Sequence, residues 1–133
     1  MTTVADLMVT DVLTVEPSDS IGEAAEKMQA ANVGAVVVTD FARIVGIVTE
    51  RDLTRAVAAR ARAAEARCRQ WMTPDPITVE PDTTVEEAAK IMLDHNFRHL
   101  PVVKDGRVLG IVSLRLLSRW AFEQASAPSS DAV

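Results

Sequence analysis

The residues of this sequence whose types could support chemistry do not form a catalytic set. They are Cys68, His95 and His99, together with the polar segments Thr49-Glu50-Arg51-Asp52 and Arg98-His99. A zinc site needs more ligands than these readily supply, and we expect a helix-to-strand boundary to separate the two histidines. The sequence has no Gly-x-x-x-x-Gly-Lys loop, no Gly-x-Gly-x-x-Gly motif and no convincing nucleophile and base. We therefore expect no enzymatic activity, no catalytic cofactor and no metal.

The segment that begins at Thr49 has two interpretations. A hydroxyl followed three residues later by a carboxylate is a capping box, in which Asp52 accepts a hydrogen bond from the backbone N–H of Thr49 at a helix start. The same helix start would offer N–H groups and the positive end of a helix dipole to an anion, and Arg98 can donate two hydrogen bonds to a phosphate. From these residues alone both interpretations stay open.

These polar segments belong to a sequence unit that is repeated within the chain. Residues 4–53 align with residues 68–117 at a constant offset of 64 without a gap, and 18 of the 50 pairs are identical. The segment Thr-Val-Glu-Pro, for example, begins at Thr14 and again at Thr78. So many matches in one register indicate an internal duplication.

Both units predict the same order of helices and strands. A short extended segment (13–15 and 77–79) ends at a proline. A hydroxyl residue then opens a capping box, apolar residues follow at helical spacing, and an asparagine marks the end of the helix. Two β-branched strands joined by a turn come next, and a second helix follows. The boundary residues, in pairs, are Ser20 and Thr84, Asn32 and Asn96, and Thr49 and Ser113.

The resulting order, β-α-β-β-α twice, predicts an α+β fold in which the two repeats pack about a pseudo-twofold axis. Neither unit can cover both faces of its small sheet alone, so we expect a shared core. We assign residues 1–60 to repeat 1 and residues 68–122 to repeat 2. Residues 61–67 are expected to be a helical connection, because the surrounding sequence is rich in alanine and arginine. Residues 123–133 are expected to be a disordered tail.

Charge and composition limit the expected partners and location. The formal net charge is −5, which argues against nucleic acid because polyanion binding usually rests on a basic surface. No aliphatic stretch approaches the ~20 residues that span a bilayer, and the N-terminus shows no secretion signal. A single cysteine fits a reducing compartment. We therefore expect a cytoplasmic protein that binds neither membranes nor nucleic acid, with the arginines of 55–69 on a solvated helix face.

Motifs within the repeat indicate a family. Each unit carries Gly-hydrophobic-x-Thr/Ser, as Gly46-Ile47-Val48-Thr49 and as Gly110-Ile111-Val112-Ser113, and the second also contains Asn96-Phe97-Arg98-His99-Leu100-Pro101. From about residue 4 to 120 the chain resembles a tandem CBS-domain pair, also called a Bateman module. The resemblance implies an adenosine nucleotide (AMP, ADP or ATP) bound in a cleft between the repeats, and it implies a homodimer.

The resemblance also implies which side chains meet the nucleotide. In this family the acid three residues after the Thr hydroxyl holds the ribose, the early strand of the other repeat encloses the adenine, and basic side chains face the phosphates. An apolar slot for the base is also required. Since Arg98 and His99 alternate along the expected strand, only one of them should face the cleft. Arg51, on the helix that begins at Thr49, is expected to be a solvated residue. The full predicted site is Ile47, Thr49, Asp52, Ile77, Thr78, Arg98, His99, Pro101 and Arg115.

The two copies differ at the positions that matter for this site. Leu116 stands where repeat 1 has Asp52, and Gly34-Ala35 stand where repeat 2 has Arg98-His99. We therefore predict one intact nucleotide site per chain and a degenerate twin that lacks the acid and the basic pair. The expected function is regulatory, and it acts through an effector protein or the dimer itself because the repeats account for nearly the whole chain. The alternative is a structural dimerisation or interaction module with a vestigial ligand site.

Overall fold

The computed structural model describes residues 1–126. In chain order its elements are α1 (Val4–Leu7), β1 (Thr14–Val15), α2 (Ile21–Ala31), β2 (Ala35–Asp40), β3 (Arg43–Thr49), α3 (Glu50–Ala58), α4 (Cys68–Trp71), β4 (Thr73–Pro74), α5 (Val85–His95), β5 (His99–Lys104), β6 (Arg107–Ser113) and α6 (Leu114–Ser126). The α+β fold of two repeats is confirmed.

The duplication in the sequence is also a duplication in structure. The bounds of α2 and α5 differ by the same offset of 64 as the sequences, and so do those of the hairpins β2–β3 and β5–β6. Both hairpins even carry a register shift at the matching place, between Val38 and Thr39 and between Val102 and Val103. The shared residues of the two copies therefore specify one local fold twice.

The helix boundaries follow the predicted caps. Ser20 and Thr84 are the N-cap residues of α2 and α5, and each side chain accepts a hydrogen bond from a backbone N–H three residues on. Asn32 and Asn96 end these helices in the left-handed conformation, with φ of 55° and 57°. Asparagine tolerates this conformation better than most residues, which is why it serves as a helix stop here.

The strands form one mixed sheet in the order β1-β2-β3-β6-β5, with β4 paired to β3. The two hairpins are antiparallel, and they meet at a single pair, Arg43 opposite Arg107, near their turns. Beyond this pair β3 and β6 are not paired with each other, and each strand pairs instead with a short segment of the other repeat.

The first segment of each repeat is buried in the other repeat. Val4 of α1 lies fully buried among core residues of repeat 2, and Cys68 of α4 lies fully buried in the core of repeat 1. The strands repeat this exchange, because β4 pairs with β3 and Val9 pairs with Ile111 of β6. Burial, aided by nearby acidic groups, raises the pKa of the Cys68 thiol to about 11, so the buried side chain is neutral. The expected packing of one repeat on the other is thus achieved by exchange of segments.

Two expectations about the connecting and terminal segments are wrong. Helix α3 ends at Ala58 and Arg60 has a φ of 62°, so residues 61–67 form turns instead of a helical connection. Their carbonyls have another use, since Ala63 and Ala66 accept hydrogen bonds from the first backbone N–H groups of α2. The predicted extended segment 77–79 pairs in parallel at Val79, with Val102, as Val15 does with Val38 in repeat 1. Helix α6 continues through Ser126, so residues 123–126 are helical, while residues 127–133 of the predicted tail lie outside the described residues.

The turn of the first hairpin has an unfavourable backbone conformation for its residues. Phe41 and Ala42 both have positive φ, 50° and 67°, and Phe41 is 95% exposed. Positive φ at both central positions is typical of a type I′ turn, which favours Asn-Gly or Asp-Gly. The second hairpin has that solution, Asp105-Gly106, with φ of 53° and 78°. The left-handed conformation costs most residues other than glycine roughly 1 kcal/mol or more, so repeat 1 carries strain that repeat 2 avoids.

We expect the double change Phe41→Asp with Ala42→Gly to raise the free energy of unfolding by about 1–2 kcal/mol, because it removes this strain. Urea unfolding followed by circular dichroism measures the change. The reverse exchange in the other hairpin, Asp105→Phe with Gly106→Ala, should lower the free energy by a similar amount. Equal stability of all three proteins would show that the turns do not store the strain.

Candidate functional site

A cavity of about 450 Å³ lies between the repeats, within the range of small-molecule sites. Its repeat 1 wall is the end of β3 and the start of α3, and its repeat 2 wall comes from the segments before α5 and around the start of β5. Of the nine predicted site residues, six line this cavity: Ile47, Thr49, Asp52, Ile77, Arg98 and His99.

Asp52 is the most constrained polar group of the cavity wall, with only 3% of its surface exposed. Its Oδ2 accepts hydrogen bonds from the backbone N–H and the hydroxyl of Thr49, at 2.9 and 3.1 Å. Its Oδ1 accepts from the Arg55 guanidinium at 2.9 Å and from the Thr73 hydroxyl at 3.4 Å. The capping box at Thr49 is therefore real, and the same carboxylate also faces the cavity.

Arg55 holds the outer side of this carboxylate. Its side chain is more than half exposed, and its guanidinium carbon lies 5.6 Å from the centre of the Trp71 ring. A cation over an indole face is attracted by about 0.5–1 kcal/mol at an exposed site. Arg55 is thus placed between Asp52 and Trp71, in a position from which it can move into solvent.

His99 of repeat 2 lies against Gly34 of repeat 1. A Cβ built on Gly34 would lie 2.5 Å from Glu50 Oε1 and 3.1 Å from His99 Nε2, so the missing side chain at Gly34 makes room for both groups. Burial lowers the pKa of His99 and the Arg98 charge adds to this effect, while Glu50 opposes it. The imidazole is therefore mostly neutral at pH 7, and can donate or accept hydrogen bonds without carrying charge.

The expectation that only one of Arg98 and His99 faces the cleft is wrong, and the expectation of a solvated Arg51 is incomplete. Arg98 and His99 both line the cavity, because β5 begins at His99 and strand alternation does not apply to Arg98. Arg51 is exposed but is not simply solvated: its guanidinium donates a 3.1 Å hydrogen bond to the carbonyl of Asn96 and lines the cavity. That carbonyl is at the C-terminal end of α5, where a cation is favoured. Arg51 therefore bridges the two repeats.

The other three predicted site residues do not line this cavity. Pro101 is fully buried within β5, and Thr78 is an exposed residue next to the Val79 pairing. Arg115 lines a different cavity. Eight lining residues were not predicted for the site, namely Glu50, Arg51, Thr54, Thr73, Asp75, Pro76, Asn96 and Phe97. The sequence Thr73-Pro74-Asp75-Pro76 could have indicated this turn, since two prolines around an acid favour one.

The second cavity, about 960 Å³, is the pseudo-symmetric twin of the first. Leu116 lines it in place of the acid, as the sequence predicted. The predicted lack of basic side chains is wrong, because Arg98 and His99 line this cavity as well as the first, together with Arg115 and Arg119. The twin cavity therefore lacks an equivalent of the Asp52 carboxylate but keeps positively charged side chains.

Two further classes of site are absent from residues 1–126. No helix among them is both long enough and apolar enough to cross a membrane. Within the same residues no three side chains of the His, Cys, Asp and Glu types come together as metal ligands would.

Comparison with known proteins adds independent findings. The family model of the CBS domain matches residues 4–59 and again residues 68–123. The chain is 33% identical to the CBS domain-containing protein YhcV of Bacillus subtilis over 98% of this chain and 93% of YhcV. A crystal structure of the CBS domain pair of MJ0100 in complex with 5-methylthioadenosine and S-adenosyl-L-methionine matches with a TM-score of 0.87 and 30% identity, covering 93% of this chain and 98% of that one. CBSX2 in complex with AMP matches with a TM-score of 0.79 and 30% identity, over 94% and 99%.

The lowered pKa of His99 predicts a specific pH dependence of stability. A histidine whose pKa is lower in the folded state than in the unfolded state stabilises the fold above the unfolded value of 6.5, and this contribution is lost as the pH falls below it. Replacing His99 by Gln should therefore reduce the loss of unfolding free energy between pH 7.5 and pH 5.5 in urea titrations. His95→Gln, at the exposed end of α5, is the control and should keep the wild-type pH dependence. Identical pH profiles for the wild type and His99→Gln would contradict the assignment.

Proposed function

The chain belongs to the CBS-domain family, and we propose that it is a regulatory, non-catalytic module that binds one adenosine nucleotide (AMP, ADP or ATP) in the first cavity between its repeats. The observation that carries the proposal is the buried Asp52 carboxylate on the wall of a cavity to which both repeats contribute. The solved relatives support the same ligand chemistry, because MJ0100 and CBSX2 were crystallised with adenosyl ligands.

In the proposed complex Asp52 accepts hydrogen bonds from the two ribose hydroxyls. A carboxylate offers about four lone-pair positions, and the capping bonds occupy those of Oδ2. On Oδ1 the Thr73 hydroxyl is a long partner and Arg55 has an exposed side chain. We expect these two donors to give way to the ribose while the capping bonds stay, so that α3 keeps its start during binding.

The remaining wall of the cavity suits the other parts of a nucleotide. Ile47 from repeat 1 and Ile77 and Pro76 from repeat 2 provide apolar surface for the base. Arg98 and His99 provide hydrogen-bond donors at the other end of the cavity for a phosphate. Pro101, which was predicted to help with the base, is buried in the strand and has no part in this proposal.

The alternative is an interaction module whose ligand site is vestigial. The two functions differ in a simple measurement, since a ligand that binds only the folded state raises the melting temperature. We expect adenosine nucleotides to raise it, and calorimetry to give one strong site per chain because Leu116 replaces the acid in the twin cavity. A panel of AMP, ADP and ATP without any thermal shift would favour the interaction module.

We also propose that the chain forms a homodimer and that an effector protein, or the dimer itself, transmits the ligand signal. The large exposed apolar side chains Val57, Leu93 and Phe122 favour a further partner surface, whereas Ala24 and Ala88 are fully buried in the chain's own cores. The single neutral thiol of Cys68 fits the cytoplasm as the location. Light scattering should give twice the chain mass of 14.4 kDa, and a monomer at all concentrations would refute the dimer.

Asp52→Asn separates the ligand role of the carboxylate from its capping role. Asparagine keeps a carbonyl oxygen for the Thr49 N–H but loses the charge that binds the ribose hydroxyls and Arg55. We expect AMP affinity to fall on the order of ten- to a hundredfold by calorimetry, with a loss of about 1–2 kcal/mol in stability.

A matched control exists within the chain. Thr3 and Asp6 form the same capping box at α1, with bonds of 2.9 and 3.3 Å to Asp6 Oδ2, but they are not among the residues of the cavity. Asp6→Asn should therefore leave AMP affinity unchanged. If Asp52→Asn also keeps full affinity, Asp52 is a cap and not a ribose ligand.

A further inference from the structure

The charges around the first cavity are not those of a strong polyphosphate site. Its wall carries three carboxylates, Glu50, Asp52 and Asp75, and two guanidinium groups, Arg51 and Arg98. If Arg55 is counted as the partner of Asp52, the remaining acids and bases balance. His99 adds no full charge at neutral pH because burial lowers its pKa. The cavity is therefore close to neutral, although it has good donors for one phosphate.

The start of α3 offers less to an anion than the sequence suggested. The backbone N–H of Glu50 already donates to the carbonyl of Gly34 at 3.1 Å, and that of Asp52 donates to the Thr49 hydroxyl at 3.4 Å. The first turn also carries two carboxylates, which offset the positive end of the helix dipole. Phosphate binding at this helix start therefore depends mainly on side chains from repeat 2.

Glu50 occupies a special place among these groups. Together with Arg98 and His99 it lines both cavities, so these three side chains lie between the two cavities. The Glu50 carboxylate lies against Gly34 beside the His99 ring. A phosphate chain that extends from the first cavity towards Arg115 and Arg119 in the second must pass this negative charge.

We infer that Glu50 is a specificity residue that restricts the first cavity to adenosyl ligands with at most one phosphate, and that it acts against nucleoside triphosphates. The inference rests on the proposed function and narrows its ligand class. One phosphate can lie at Arg98 and His99, while the further phosphates of ATP come close to the Glu50 carboxylate. Like charges that come close together at a protein surface repel each other, and this repulsion opposes the attraction of the further phosphates by the arginines.

The test is calorimetric titration of the wild type and Glu50→Gln with adenosine, AMP and ATP, in EDTA so that no magnesium neutralises the phosphates. We expect the wild type to bind AMP more tightly than ATP. Glu50→Gln should raise ATP affinity relative to AMP on the order of tenfold. Arg98→Ala should act differently and weaken both nucleotides relative to adenosine.

Glu26→Gln is the matched control, because Glu26 is an exposed acid on α2 that lines neither cavity. It should leave the ratio of ATP to AMP affinity unchanged. A salt titration of the wild type gives a second readout. Added salt screens the repulsion between Glu50 and the phosphates, so it should raise the ratio of ATP to AMP affinity. In a site that attracts ATP more strongly than AMP, added salt should lower this ratio.

The outcomes separate this inference from the function on which it rests. A wild type that binds ATP at least as tightly as AMP, or a Glu50→Gln protein with an unchanged ratio, overturns the role of Glu50 and leaves nucleotide binding intact. Failure of adenosine, AMP and ATP alike to bind the wild type overturns the proposed function and this inference with it.

Discussion

Each repeat completes its core with the first helix of the other, and the first cavity depends on this exchange. Val4 is buried in repeat 2 and Cys68 in repeat 1, and the segments that carry them continue into pairings with the opposite sheet. Gly46 and Gly110 make these pairings possible, since a Cβ at either would lie about 3 Å from a backbone carbonyl of the incoming segment, at 3.1 Å from Thr73 and 2.9 Å from Val9. The segment that begins at α4 then brings Thr73 and the following turn to the cavity wall. Separate repeats would lack both a complete core and a complete site.

Much of this architecture could be predicted, because the constraints act over short distances. Capping boxes, a left-handed asparagine and a two-residue hairpin turn are local features, and each occurs at the same place in both copies. The duplication then supplied the long-range information, since two copies of a half-covered sheet must cover each other. Asp52 was placed on the cavity by the resemblance to tandem CBS-domain pairs, as the acid three residues after the Thr49 hydroxyl at the start of α3.

The parts that could not be predicted depend on contacts between segments far apart in sequence. The composition of 61–67 favours a helix, but its carbonyls are needed to satisfy the start of α2, and this overrides propensity. Arg98 lies one residue before the strand, so alternation gave the wrong result for it. The family resemblance predicted Pro101 and Thr78 for the site. In the structure, however, Pro101 is buried within β5, and Thr78 lies next to the pairing of Val79 with Val102. A side chain's direction at such boundaries depends on where pairing begins, and a pattern leaves that uncertain by a residue or two.

The same logic explains why the two copies diverged where they did. Residues that maintain the fold act within each copy, so Gly46 and Gly110 or the paired caps are needed twice and stay alike. Residues near the pseudo-twofold axis contact the other repeat. Each cavity therefore combines a position of one copy with a different position of the other copy. Glu50 and His99 lie together beside Gly34, while the twin positions, Leu114 and Ala35, are both apolar and line the second cavity. One cavity thus has a carboxylate beside an imidazole where the other has two apolar side chains. Duplication therefore preserved the scaffold and allowed the two cavities to take different chemistry.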